Sequence, residues 1–110
     1  MHYLLFYEFV PDYIERRAEF RAQHLRLAWE AQGRGELILA GAYADPVNGA
    51  ALLFRCDSPA VPEQFVAADP YVRSGLVTKW TIRRWTTVVG QDATTPVVPD
   101  GVRSVDNSRH

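Results

Sequence analysis

The chain has 110 residues, of which 47% are hydrophobic and 23% charged, and its formal net charge is −1. This size and composition predict one globular domain with a modest core, for which an oligomeric interface is expected. The balanced charge argues against a nucleic-acid partner, and no apolar run reaches the roughly 20 residues that span a bilayer. A single cysteine excludes an internal disulfide and disfavours structural zinc, so we expect a cytoplasmic protein without a metal site.

The N-terminal third of the chain predicts a strand followed by a long helix. Residues 2–9 are almost uniformly apolar and aromatic, as in a strand that is covered on both faces, and His2 at its start is expected at the surface. A helix is predicted over 12–32, with Asp12 as its N-cap. Its apolar residues recur in steps of three, four and seven, so we expect them to face the core: Ile14, Ala18, Leu25, Ala28 and Trp29.

The rest of the chain predicts a hairpin, a second helix, a last strand and a tail. The two hairpin strands, the helix and the last strand are expected at 36–43, 50–55, 58–68 and 76–89. The second helix should break before Asp69-Pro70, because the residue before a proline is biased away from helical geometry. We therefore assign 1–90 to the domain and 91–110 to a C-terminal tail that is partly disordered.

The predicted element order is β-α-β-β-α-β. This is the order of a ferredoxin-like α+β fold, in which an antiparallel four-stranded sheet carries both helices on one face. The helices leave the opposite face open, and the apolar character of the first and third strands favours a second copy of the sheet as its cover. We therefore expect a homodimer in which two sheets lie face to face.

The residues that suggest chemistry lie on the first helix and around the two Asp-Pro pairs. His24 follows Arg21 by three residues, so both side chains share one helix face. A carboxylate on one ring nitrogen would fix the tautomer of His24 and make it a better base. Asp69 is the first candidate for this carboxylate and Asp45 is the second. Tyr71 is a candidate to orient a substrate oxygen, and Arg21 to hold an anionic group.

Each of these residues also has a structural interpretation. An Asp-Pro pair is typical of a helix start, so capping alone accounts for Asp69. Asp45 before a proline is typical of a turn, and a histidine at the edge of a helical stripe is commonly structural. Tyr71 and the tryptophans are typical of a core or an interface. From the residues alone, a catalytic site, a ligand-binding site and a purely structural dimer all stay open.

Several of these segments together resemble the YCII-related family. The resemblance covers roughly residues 1–89. The segments that carry it are Tyr3-Leu4-Leu5-Phe6-Tyr7, Arg21-Ala22-Gln23-His24-Leu25, residues 35–42, Ala68-Asp69-Pro70-Tyr71-Val72 with Gly75 behind it, and Ile82 and Trp85 in the last strand. The tail after Gly90 departs from the short members of this family.

The resemblance implies a dimeric α+β barrel of the ferredoxin-like kind. It also implies a His–Asp pair as the active site, which corresponds to His24 and Asp69, with Asp45 as the alternative carboxylate. The implied chemistry is of lyase or isomerase type on a small aromatic or lactone molecule, and it needs no cofactor. We therefore interpret the chain as a small cofactor-independent enzyme-like protein. A non-catalytic ligand-binding module and a structural dimeric module are the alternatives.

Overall fold

A computed structural model describes residues 1–102 of the chain. Its strands and helices are β1 (His2–Phe9), α1 (Tyr13–Arg16), α2 (Arg21–Gly33), β2 (Leu37–Ala42), β3 (Gly49–Arg55), α3 (Ala60–Ala68), α4 (Pro70–Arg73) and β4 (Val77–Trp85). The predicted tail, 91–110, extends past this range, and its residues 103–110 lie outside the described residues. None of the helices within 1–102 has both the length and the apolar character that crossing a bilayer requires.

The four strands form one antiparallel sheet in the order β2-β3-β1-β4. β1 lies at its centre and pairs with β3 on one side and β4 on the other. An apolar strand such as β1 suits this position, because a central strand has both edges paired and its side chains covered. The order confirms the predicted α+β class with a ferredoxin-like antiparallel sheet.

Alternate residues of β1 define two sheet faces. Tyr3, Leu5 and Tyr7 are at most 6% exposed and pack in the core with residues of α2, α3 and α4, and we call their side the inner face. Leu4 and Phe6 point to the other side, the outer face, and are only partly buried. The helices therefore cover one face of the sheet.

The predicted helix over 12–32 is interrupted in the structure. α1 ends at Arg16, a 3₁₀ turn follows at Arg17–Glu19, and α2 begins at Arg21. A 3₁₀ turn has three residues per turn, so it shifts the angular phase between the helical segments on either side of it. The prediction that one apolar stripe faces the core was wrong on both sides of this break: Ala28 is buried, but Ala18 is exposed and Ile14, Leu25 and Trp29 are 48%, 41% and 68% exposed.

β4 ends at Trp85, earlier than predicted, and the segment behind it folds back on itself. The backbone N–H of Val97 donates a hydrogen bond to the carbonyl of Val88 at 2.9 Å. This segment places Thr87 against His2, whose Nδ1 lies 2.9 Å from the Thr87 hydroxyl. His2 is 4% exposed, so the expectation of a surface histidine was wrong. A local pattern cannot reveal a cover that comes from the far end of the chain.

Candidate functional site

The Asp69 carboxylate lies at the centre of the site, between α3 and α4. The backbone of Asp69 is extended, with φ −73° and ψ 119°, which ends α3 and confirms the helix break predicted before Pro70. Its Oδ1 accepts the backbone N–H of Tyr71 at 3.0 Å and so caps α4. The Asp69 side chain is fully buried, at 0% exposure. A buried carboxylate of this kind requires further donors.

Two side chains from other elements supply those donors. His24 on α2 has its Nδ1 at 2.8 Å from Asp69 Oδ1. Tyr7 on β1 donates its hydroxyl to Asp69 Oδ2 at 2.7 Å. Burial, together with the neighbouring Asp69 charge, raises the pKa of Tyr7 above its usual value, so this hydroxyl keeps its proton. Helix, strand and cap thus converge on one carboxylate.

This network determines the tautomer of His24. An ionised carboxylate only accepts hydrogen bonds, so the His24 nitrogen that faces Asp69, Nδ1, carries the hydrogen. The other ring nitrogen, Nε2, then has a free lone pair in the neutral ring, and it makes no hydrogen bond to any residue within 1–102. His24 is therefore held in one orientation, with Nε2 free to accept a hydrogen bond.

Aromatic packing holds the His24 ring in a second way. The ring stacks on Tyr71 with a centroid distance of 3.9 Å and an interplanar angle of 7°. Phe65 meets the ring edge-on, with centroids 6.4 Å apart. The Tyr71 ring is in turn held edge-on by Tyr13 at 5.7 Å. Rotation of the imidazole would break both the stack and the hydrogen bond to Asp69.

Beside this network lies a cavity of about 490 Å³ between α2 and β2, here called the α2–β2 cavity. His24, Tyr7, Tyr71 and Arg21 all line it. Asp69 is not part of the lining, since it lies buried behind the His24 ring. The arrangement places the His24 imidazole, the Tyr7 and Tyr71 side chains and the Arg21 guanidinium around one space that is large enough for a small molecule.

Asp45, the second carboxylate that the sequence suggested, lies elsewhere. It is exposed in the turn between β2 and β3, with a positive φ of 52°, and it is not among the residues that line the α2–β2 cavity. The Nδ1 of His24 is bound to Asp69 instead. Of the two carboxylates, the fold therefore brings Asp69 to the histidine.

Tyr71 keeps its proton in this environment. Burial, and after it the adjacent Tyr13 hydroxyl, raises the pKa of Tyr71 above its usual value. The Arg21 and Arg17 guanidiniums act in the opposite direction but do not offset the rise. Tyr71 is therefore a hydrogen-bond donor near neutral pH rather than a base.

Sequence reasoning missed Tyr7, Arg17 and Trp29 as residues of the cavity lining. One signal for Tyr7 was present: a tyrosine in a strand covered on both faces needs a buried partner for its hydroxyl. Nothing local indicated Arg17 or Trp29, because their positions depend on the break between α1 and α2. Trp29, which we expected in the core or an interface, lies at the exposed rim of the cavity.

Comparison with known proteins gives a family and a fold. The family model of the YCII-related domain matches residues 1–86. Among curated proteins the chain has no significant match. Two solved structures are similar to it over most of their length.

The first of these structures is the 5-chloro-2-hydroxyhydroquinone dehydrochlorinase of Burkholderia phenoliruptrix, in complex with 2,5-dihydroxybenzoquinone. It is 20% identical, with a TM-score of 0.68, over 79% of this chain and 95% of that one. The second, protein Atu4242 of Agrobacterium tumefaciens, is 15% identical, with a TM-score of 0.52, over 86% and 98% of the two chains. At these identities the likeness concerns the fold.

Proposed function

This chain belongs to the YCII-related family, and from that premise we propose that it is a small cofactor-independent enzyme that moves a proton on a molecule bound in the α2–β2 cavity. The reaction is of lyase or isomerase type, and the substrate is a small aromatic or lactone compound. One observation carries the proposal: a fully buried carboxylate holds one nitrogen of His24 at 2.8 Å, while the ring lines a cavity of about 490 Å³.

In the proposed step, Nε2 of His24 removes a proton from a carbon next to a carbonyl group of the substrate. The electron pair moves onto the carbonyl oxygen, where the Tyr71 hydroxyl or Arg21 donates a hydrogen bond to the developing charge. Return of the proton to another carbon completes an isomerisation. Expulsion of a leaving group by the same electron pair completes an elimination, and His24 keeps the proton until solvent removes it.

Asp69 acts as a positioning residue in this scheme. Its charge lies beside the imidazolium that forms when His24 accepts a proton, and this lowers the free energy of the charged ring. The hydroxyl of Tyr7 and the backbone N–H of Tyr71 donate hydrogen bonds to the carboxylate and hold it in its buried position. The base is thus oriented before any substrate arrives.

The proposal is tested with the His24→Ala variant. Candidate hydroquinones and unsaturated lactones are incubated with the protein in D₂O, and the exchange of carbon-bound substrate hydrogen for deuterium is followed by NMR. We expect the wild-type chain to catalyse exchange and His24→Ala to lose at least about 100-fold in rate, the usual contribution of a general base. Arg26→Ala is the matched control, because Arg26 is an exposed residue of α2 outside the cavity lining.

A folded His24→Ala protein with wild-type exchange would contradict the proposal. Saturable binding of these compounds without any exchange in the wild-type chain would also contradict it, and would favour a ligand-binding module. The apolar rim of the cavity, where Leu25 and Trp29 are exposed, is the observation that supports this second function.

A further inference from the structure

The α2–β2 cavity carries positive charge that nothing in the described protein neutralises. Arg17 and Arg21 both line it, and no aspartate or glutamate does. Within residues 1–102, neither arginine takes part in an ion pair, whereas Arg16, Arg34 and Arg55 each lie within 4 Å of a carboxylate. Two cations in a concave, partly apolar site form a favourable environment for an anion.

These two arginines lie at the junction between α1 and α2. Arg17 begins the 3₁₀ turn and Arg21 begins α2. The Arg17 guanidinium carbon lies 5.4 Å from the centroid of the Tyr13 ring, so the aromatic face holds it in place. Both guanidiniums act on the Tyr71 hydroxyl in the direction that lowers its pKa, and all three residues line the cavity.

Small residues form one part of the sheet side of the cavity, beside leucine and isoleucine residues of β2 and β3. In the register of the sheet, Tyr7 pairs with Ala50 and Ala50 pairs with Ala42, so the three residues form one row on the inner face. Both alanines line the cavity, as do Ala40 and Gly41. Short side chains along two adjacent strands leave a shallow floor, and a flat ring fills such a space better than a branched chain does.

We infer that Arg17 and Arg21 form an anion subsite and that the α2–β2 cavity takes a small planar aromatic anion, a ring bearing a carboxylate or a phenolate oxygen. The guanidiniums pair with the charged group, and the ring lies over the floor of small residues. This inference rests on the proposed function, since it assigns a substrate class to the same cavity. It adds Arg17, and the charge of the ligand, to what the sequence suggested for Arg21.

Calorimetric titration of the full chain with benzoate and with benzamide tests this inference. The two probes share size and shape and differ in charge. We expect benzoate to bind at least about tenfold more tightly, and Arg17→Gln or Arg21→Gln to remove about tenfold of that affinity, as the loss of a charge-assisted hydrogen bond does. The matched control Arg26→Gln removes the same charge from an exposed site on α2 and should leave benzoate affinity within about twofold.

A second pair of probes distinguishes a carboxylate from a phenolate oxygen as the charged group of the ligand. 4-Nitrophenolate, titrated above the pKa of its hydroxyl, is compared with 4-nitroanisole. The subsite is supported if either anion binds more tightly than its neutral partner and this preference is lost in Arg17→Gln and Arg21→Gln. The anion that is preferred shows whether the subsite binds a carboxylate or a phenolate oxygen. Equal affinity for the charged and neutral probes, or no saturable binding of any of them, overturns it. An equal loss in Arg26→Gln overturns it as well.

Failure of this inference differs from failure of the proposed function. The anion subsite is judged by the ratio of benzoate to benzamide affinity in the two arginine variants, and the enzyme by the loss of deuterium exchange in His24→Ala. If anion binding depends on both arginines but no substrate exchanges its hydrogen, the anion subsite is supported and the proposed enzymatic function is contradicted. Circular dichroism establishes that each variant is folded, and Arg21→Gln decides alone if Arg17→Gln is unfolded after losing its contact with Tyr13.

Discussion

A single carboxylate, that of Asp69, both caps a helix and holds the His24 ring. The Asp69-Pro70 pair is explained by capping alone, and by catalysis alone, when it is read as a local pattern. A carboxylate has two oxygens and about four acceptor positions, so one group can do both. Oδ1 caps α4 through the Tyr71 N–H and also accepts His24, while Oδ2 accepts Tyr7.

Asp69→Asn should weaken both the fold and the site. An amide has one oxygen, so at least one of the three donors loses its acceptor in a buried position. We expect the free energy of unfolding to fall by about 1.5–3 kcal/mol, and the rate of deuterium exchange to fall because the Nδ1–H tautomer is no longer favoured. Denaturant unfolding and the exchange assay measure the two effects.

Asp45→Asn is the matched control for that substitution. Asp45 is exposed and has a positive φ of 52°, a conformation that asparagine tolerates well. Its unfolding free energy should therefore stay within about 0.5 kcal/mol of the wild-type value. Equal losses of unfolding free energy in the two variants would show that the hydrogen bonds of Asp69 stabilise the fold no more than the exposed Asp45 does.

At the scale of elements, the segment after β4 covers the start of β1, and the predicted first helix is divided into α1 and α2. The start of β1 is covered because 86–102 folds back, so Thr87 meets His2 and accepts the backbone N–H of Thr94 at 2.9 Å. The rim of the cavity is apolar because Leu25 and Trp29 on α2 are exposed there instead of buried in the core. Neither effect was predictable from the strand or the helix alone.

The buried His2 should make stability depend on pH. Burial, and next the Arg55 guanidinium, lower the pKa of His2 below its ordinary value of 6.5, while Asp92 acts in the opposite direction. The unfolded chain then takes up a proton before the folded one as the pH falls below about 6.5. The contribution of His2 to the unfolding free energy is therefore complete above this pH and is lost as the pH falls through the folded-state value.

Urea unfolding on both sides of this window tests the expectation. His2→Gln should lose less stability on acidification than the wild-type chain does, because its side chain does not titrate. Thr87→Ser keeps the hydroxyl that faces the ring and should keep the wild-type pH dependence. If His2→Gln and the wild-type chain show the same change with pH, the ring is not held neutral in the fold.

At the scale of the whole molecule, the two faces of the sheet differ in their cover. The helices close the inner face, while the outer face shows a row of leucines across three strands, Leu39, Leu53 and Leu4, that pair in register. Leu39 is 71% exposed, and Trp85, at the far end of the same face, is 45% exposed. An apolar surface of this kind is typical of an interface.

The predicted homodimer, with two outer faces in contact, is tested by sedimentation. We expect a dimer at micromolar concentration and a monomer for Leu53→Glu, because a charge in the centre of an apolar interface would be buried without a partner. Ile14→Glu is the matched control, since Ile14 is 48% exposed on α1 and away from the outer face. A monomeric wild-type chain, or a dimer that survives Leu53→Glu, would contradict this arrangement.

The sequence by itself determined the order of the elements, the antiparallel sheet and the helix break at Pro70, because periodicity and proline geometry act over a few neighbouring residues. Only the tertiary structure decided which carboxylate meets His24, since the sequence ranked Asp69 before Asp45 without excluding Asp45, which lies exposed in the turn between β2 and β3. It also decided that Tyr7 and Arg17 belong to the site. Such contacts depend on how helices and strands pack against one another, and a local sequence pattern does not contain that information.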